Sequence, residues 1–67
     1  MDFVAIDVET ANADLSSICQ VGLVRFAAGS PVEHWSTLIN PQDHFDDLNI
    51  AIHGIDEDAV IDAPPLS

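Results

Sequence analysis

The sequence predicts an α/β chain that begins with a three-strand antiparallel meander and continues into short helices. Apolar and β-branched residues dominate three stretches, residues 3–10, 18–26 and 32–39, in patterns typical of strands. Short links join these stretches, and a short link allows antiparallel but not parallel neighbours. Two brief helical patterns follow, one at residues 48–52 and one that begins at Asp56.

The first stretch, residues 3–10, contains the candidate functional residues. Its aliphatic content predicts a central strand that is covered on both faces. Strand side chains alternate between faces, so Asp7 and Glu9 share one face with Phe3 and Ala5. Two ionised carboxylates beside a dry core repel each other and resist desolvation, and a divalent cation would compensate both. An apolar strand that ends in acids also suits the ligand-binding edge of an open α/β sheet.

The later elements are bounded by turn residues. Residues 11–17 are small and polar, which predicts a loop that borders the carboxylate end of the first strand, and residues 27–31 are predicted to reverse the second strand. Within that strand, Gln20 is expected to hydrogen-bond a neighbouring strand, and Gly22 to let another group pack closely.

Asparagine and proline at positions 40 and 41 end the third strand. Gly54 is the expected C-cap of the first helical turn. Asp56 is the expected N-cap of a second short helix, which ends before Pro64 and Pro65.

The composition limits the class of protein. The chain has 67 residues, 48% of them hydrophobic, which predicts one small unit with a core rather than a disordered acidic tail. One Lys or Arg against twelve Asp and Glu gives a net charge of −11. Such a field repels phosphates, so composition by itself favours a binder of cations or of basic proteins over a nucleic-acid binder.

The single cysteine, Cys19, excludes an intramolecular disulfide and a cysteine-based zinc cluster. It is expected to be a small buried residue in a reducing compartment. The N-terminus has no basic or long apolar stretch typical of a signal peptide, and no transmembrane span is apparent, so we expect a cytoplasmic protein without membrane contact.

Three stretches, taken together and in order, resemble a known family. They are the Asp-Val-Glu-Thr that ends the first strand, the glutamine-centred second strand, and the segment that runs from Asn-Pro through Ile-His-Gly-Ile to Ala-Pro. They resemble the DEDD exonucleases with a catalytic histidine, typified by the proofreading epsilon subunit of bacterial DNA polymerase III. The resemblance implies a ribonuclease H-like mixed sheet, of which residues 1–67 would be the N-terminal portion of a single exonuclease domain.

The resemblance also implies an activity and a set of site residues. The activity is metal-dependent hydrolysis of nucleotides from the 3′ end of DNA or RNA, with two Mg²⁺ or Mn²⁺ ions as cofactors and a DNA polymerase subunit as a further partner. By the same likeness, Asp7 and Glu9 would be catalytic metal ligands and Thr10 would contact the terminal nucleotide. Residues that would border the nucleotide pocket are Ile52, His53, Gly54 and Ile55.

The sequence also departs from this family, whose members need two further aspartates and a general-base histidine from later motifs. No residue of this chain matches those motifs, so the 67 residues alone are expected to be inactive. The alternative that the composition keeps open is a small acidic module that binds cations or a basic protein without catalysis. Within the family, the sequence leaves open whether the substrate is DNA or RNA.

Overall fold

A computed structural model describes residues 1–66 of the chain. Three strands, β1 (Phe3–Thr10), β2 (Ile18–Ala27) and β3 (Ser30–Leu38), precede one helix, α1 (Asp47–His53). The strands form one antiparallel sheet in the order β1-β2-β3. The predicted mixture of strand and helix, and the three-strand meander, are therefore confirmed. Among residues 1–66, no helix combines the length and the apolar character needed to cross a membrane.

The pairing register assigns the strand side chains to two faces, because directly opposed residues of an antiparallel pair lie on the same face. On the first face Asp7 lies opposite Gly22 and Glu9 lies opposite Gln20. The two phenylalanine rings at the far end of this face stack with their centroids 4.5 Å apart.

The second face of the sheet is mostly apolar, although it also carries one Arg–Glu ion pair. It presents Val4, Ile6 and Val8 of β1, with Leu23 and Trp35 from the neighbouring strands. The side chain of Ile6 is 70% exposed and that of Trp35 is 54% exposed, so none of the described residues covers the middle of this face.

A two-residue turn joins β2 to β3, as expected for residues 27–31. Ala28 has a φ of 52° and Gly29 a φ of 80°. Two consecutive positive φ values are typical of the primed turns whose twist matches that of a hairpin. The Asp2 carboxylate also accepts a hydrogen bond from the Ala28 N–H, at 3.1 Å, which ties the turn to the start of β1.

The core lies beyond one end of the sheet rather than on its faces. It consists of Ala11, Cys19, Phe45, Ile55 and Val60, each less than 9% exposed. The pairing of β1 with β2 skips Cys19, since Glu9 faces residue 20 whereas the next residue of β1 faces residue 18. This bulge places an extra β2 residue where the core begins.

Two expectations about the elements are wrong. β1 is an edge strand of the sheet and is mostly exposed, whereas a central strand with covered faces was expected. Its aliphatic side chains have no cover because the other described segments pack at the end of the sheet.

The second short helix is replaced by successive turns. The Asp56 carboxylate does accept the Ala59 N–H at 3.0 Å, as an N-cap would. However, the bonds that follow join residues three apart, Ile61 to Asp58 and Ala63 to Val60, and the two prolines prevent any continuation.

We expect the isolated chain to associate or to remain molten, because an uncovered apolar face and an unpaired strand edge favour self-association. Trp35→Thr should reduce association in sedimentation velocity, since it removes the largest exposed apolar side chain of the second face. His34→Thr, on the opposite face of the same strand, is the matched control. Monomeric sedimentation of the wild type with a cooperative thermal transition would contradict this expectation.

Gly54 is required by its backbone conformation rather than by its surroundings. It caps α1 in the left-handed region with a φ of 74°, and a Cβ added there would have no atom within 4 Å. Gly54→Ala should therefore destabilise α1 by about 1 kcal/mol. The measurement is the helical Cα chemical shifts of residues 47–53. Gly22→Ala is the control, because a Cβ there would meet only the Asp7 carbonyl oxygen at 3.9 Å. Equal effects of both substitutions would refute the conformational explanation.

Candidate metal centre at the end of β1

Asp7 and Glu9 lie on one face of β1, near its C-terminal end. The side chain of Asp7 is exposed and that of Glu9 is half-buried. Neither carboxylate takes part in the ion pairs found among residues 1–66. Arg25, the single Lys or Arg of the chain, binds Glu33 instead, with its Nε 2.9 Å from the carboxylate. The charge of the two β1 acids is therefore left for solvent or a bound cation to compensate.

The residues opposite the two acids are small or neutral. Gly22 faces Asp7 and Gln20 faces Glu9 across the β1–β2 ladder. A Cβ at Gly22 would stand 3.9 Å from the Asp7 carbonyl oxygen, which is an ordinary contact. No described group thus requires a glycine there, and the expectation that Gly22 accommodates a closely packed group is not supported by its present neighbours.

The backbone at the end of β1 is held by α1. The Thr10 carbonyl oxygen accepts hydrogen bonds from Asn49 Nδ2 at 3.1 Å and from His53 Nε2 at 2.8 Å. The Asn49 amide also lies 3.5 Å from the Thr10 hydroxyl. Asn49 and His53 are four residues apart, so they project from the same side of the helix.

The segment of residues 52–55 reaches β1 through His53. The imidazole is half-buried against Thr10, whereas Ile52 is 74% exposed beside it. Gly54 is exposed at the helix end, and Ile55 is buried in the core. The structure therefore brings this segment next to Thr10, but its four residues have different surroundings and only two of them face solvent.

The loop that follows β1 is ordered by its own side chains. Asn12 and Ser17 are both buried, and the Ser17 hydroxyl accepts the Asn12 N–H at 3.1 Å. The Asn12 amide donates to the His44 carbonyl at 2.9 Å. The Ser16 N–H and hydroxyl bond the Asp14 carboxylate and lower its pKa below the usual value. The predicted loop is thus ordered by hydrogen bonds of its own side chains.

The two β1 acids fit a hard divalent cation in type but not in number. Carboxylate oxygens are the ligands that Mg²⁺ and Mn²⁺ prefer. Among residues 1–66, no group of three or more His, Cys, Asp or Glu side chains is placed to hold a metal ion. Asp7 and Glu9 can therefore supply two carboxylates to a cation whose other ligands are water, substrate or groups outside this set.

Asn49 is the residue of this region that sequence reasoning missed. It stands in an apolar turn together with His53, four positions later, and every residue between them is apolar. Two polar side chains at helical spacing on one side of an apolar turn are a usable signal for a shared partner. Their shared partner is a backbone carbonyl of β1, which no sequence pattern identifies.

No family model matches the chain, and no curated protein matches it.

The proximity of Glu9 to the buried Cys19 gives a test of the site geometry. Burial raises the pKa of the Cys19 thiol, and the negative charge of Glu9 raises it further. Glu9→Gln should therefore lower that pKa, as followed by the ultraviolet absorbance of the thiolate. Asp7→Asn removes the same charge and is the matched control; an equal shift with it would contradict the closer placement of Glu9.

The raised pKa of Cys19 also makes the stability of the fold depend on pH. The folded thiol stays neutral at pH values where the unfolded chain already ionises. Its contribution to stability is fully present below the ordinary thiol pKa and is lost as the pH rises toward the folded-state value.

Proposed function

We propose that the chain supplies part of a metal-dependent 3′-to-5′ exonuclease site within a ribonuclease H-like domain. In this proposal Asp7 and Glu9 are metal ligands at the end of β1. Thr10 and the segment of residues 52–55 border the position of the terminal nucleotide. The substrate is the 3′ end of DNA or RNA, and a DNA polymerase subunit is a further partner. The site lies in a cytoplasmic protein.

One observation supports this proposal most strongly. Among residues 1–66, the two carboxylates that share a face of β1 have no ion-pair partner. The helix α1, whose last two residues begin the Ile-His-Gly-Ile segment, is hydrogen-bonded to the residue directly after them. Residues 43 positions apart in the chain, Thr10 and His53, thereby meet at one corner. This is the juxtaposition that the resemblance to the DEDD exonucleases requires.

The metal has a defined role in such chemistry. Two bound divalent ions would supply activation of the attacking water and stabilisation of the charge that develops on the reacting oxygens, and Asp7 and Glu9 would hold them from this chain. The contribution of this chain would be to hold two oxygen ligands on a strand, with Thr10 beside them. No residue of this chain matches the further acids and the general base that the family requires. This chain alone is therefore expected to bind metal weakly and to hydrolyse nothing.

Mn²⁺ titration of the 67-residue chain tests the metal site. Mn²⁺ should broaden the NMR signals of residues around Asp7 and Glu9 first, because a paramagnetic ion relaxes nearby nuclei. Asp7→Asn should abolish this local broadening. Asp62→Asn removes the same charge at an exposed position of the C-terminal turns and should leave it unchanged. Broadening that is spread over all acidic segments, or that survives Asp7→Asn, would refute the metal ligands proposed here.

The reading frame beyond Ser67 tests the activity. The proposal requires an aspartate-bearing helix and a His-x-x-x-x-Asp sequence in the encoded protein. A chain that includes them should remove nucleotides from a 3′-labelled oligonucleotide in the presence of Mg²⁺, and Asp7→Ala should abolish this. A reading frame that ends at Ser67 would contradict the enzyme hypothesis for this polypeptide.

A second function, a non-catalytic acidic module, is favoured by another part of the structure. An open surface pocket of about 590 Å³ lies between residues 40–45 and the C-terminal turns. Asp43 and Glu57 stand at its walls, and Phe45 and Val60 form an apolar floor. Acids above an apolar floor suit the amphipathic side chains of a basic protein. Binding of a Lys-rich peptide that is lost with Glu57→Gln and kept with Asp7→Asn would favour this function.

A further inference from the structure

We infer that Asn49 and His53 are positioning residues for the metal-ligand end of β1, acting together on the Thr10 carbonyl. This inference rests on the proposed function for its metal and goes beyond it, since neither residue would touch the metal. It also assigns Asn49 a role and adds a second role to His53, whose segment borders the terminal nucleotide in the proposed function.

The peptide group between Thr10 and Ala11 is held at both of its polar atoms. Its carbonyl oxygen accepts Asn49 Nδ2 at 3.1 Å and His53 Nε2 at 2.8 Å, which uses both lone pairs. Its N–H donates to the Ser17 carbonyl at 2.8 Å. A peptide group bound on both sides cannot rotate without breaking one of these bonds. The orientation of the Thr10–Ala11 peptide plane is therefore fixed.

This anchoring matters because the β1–β2 ladder is interrupted at the same place. The register shifts between Glu9 and Thr10, where the extra residue Cys19 enters the pairing. A bulge increases local twist and re-aims side chains. Glu9 therefore lies at an irregular end of an edge strand. Without the hydrogen bonds from Asn49 and His53, the backbone directly after it would be held by β2 alone.

The two hydrogen bonds of His53 fix its tautomer. Its Nδ1 accepts the Ile55 N–H at 3.0 Å, so Nδ1 carries no proton. The proton is then on Nε2, from which it is donated to the Thr10 carbonyl. The left-handed conformation of Gly54 turns the chain so that the Ile55 N–H can reach the ring. The helix cap, the imidazole and the strand end thus form one continuous network.

The first experiment needs no metal. The ¹⁵N signals of the His53 ring in the full chain should show a proton on Nε2 and none on Nδ1, with a hydrogen-bond coupling from Nε2–H to the Thr10 carbonyl carbon. A proton on Nδ1, or a freely exchanging mixture of tautomers, would overturn the inference irrespective of the metal.

The second experiment measures the Mn²⁺ dissociation constant from the broadening around Asp7 and Glu9. His53→Leu and Asn49→Leu should each weaken binding about tenfold, the lower end of the range for supporting groups of a metal site, because the carbonyl they hold belongs to the residue after Glu9. His53→Gln keeps an N–H donor near the Nε2 position and should restore most of the affinity. His44→Leu removes an exposed imidazole elsewhere and is the control. Each variant's Cα chemical shifts verify that β1 and β2 remain paired.

The outcomes separate the inference from the proposed function. Unchanged Mn²⁺ affinity in His53→Leu and Asn49→Leu would overturn the positioning role. Equal losses with His53→Leu and His53→Gln would overturn the donor role of Nε2. Failure of the wild type to bind Mn²⁺ at the two acids would refute the proposed metal site, and the tautomer and coupling measurement would still decide whether the Thr10 carbonyl is held as inferred.

Discussion

The structure depends on the attachment of its later segments to the Thr10–Ala11 corner. The sheet has little cover on either face, and the packed core lies only at this end. Two side chains of α1 bond the Thr10 carbonyl, and the Asp46 N–H bonds the Ala11 carbonyl at 2.8 Å. The apolar contacts of Phe45, Ile55 and Val60 follow from that docking. A second attachment lies outside this corner, where the Asn40 N–H bonds the Pro64 carbonyl at 2.9 Å and ties the C-terminal turns to the segment after β3.

The corner is built almost entirely from neutral groups. Its donors are an asparagine amide, a neutral imidazole and backbone N–H groups, and its acceptors are carbonyls and a hydroxyl. Such bonds fix geometry without compensating charge. The single Arg is engaged by Glu33 on the opposite face from Asp7 and Glu9. A chain with a net charge of −11 thus has an ordered strand end and two acids that an external cation can approach.

The apolar second face imposes a different constraint. Val4, Ile6, Val8 and Trp35 are exposed there, and the burial of apolar surface is the main favourable term in folding. A sheet with this face in water has a small core for its size, since Cys19 is the strand residue of the buried cluster in residues 1–66 and the other members lie beyond the strand ends. The stability of the candidate site is therefore linked to whatever covers the sheet, because β1 carries both the acids and part of the apolar face.

The sequence by itself determined the strands, the turns and the neighbouring acids. These depend on alternation, on turn residues and on local backbone preferences, which act between residues close in the chain. Gly54 as the cap of α1 and the β2–β3 turn follow from the same local rules. The ribonuclease H-like architecture and the activity stay predictions that rest on resemblance.

Only the tertiary structure decided two other features: that β1 lies at the sheet edge, and that Asn49 and His53 meet on one carbonyl. Each depends on which distant segment is available to pack or to bond. A backbone carbonyl is the same in every residue, so no sequence pattern marks the one at Thr10 as the partner of α1. The two acids were visible in the sequence, but the geometry that holds them was not.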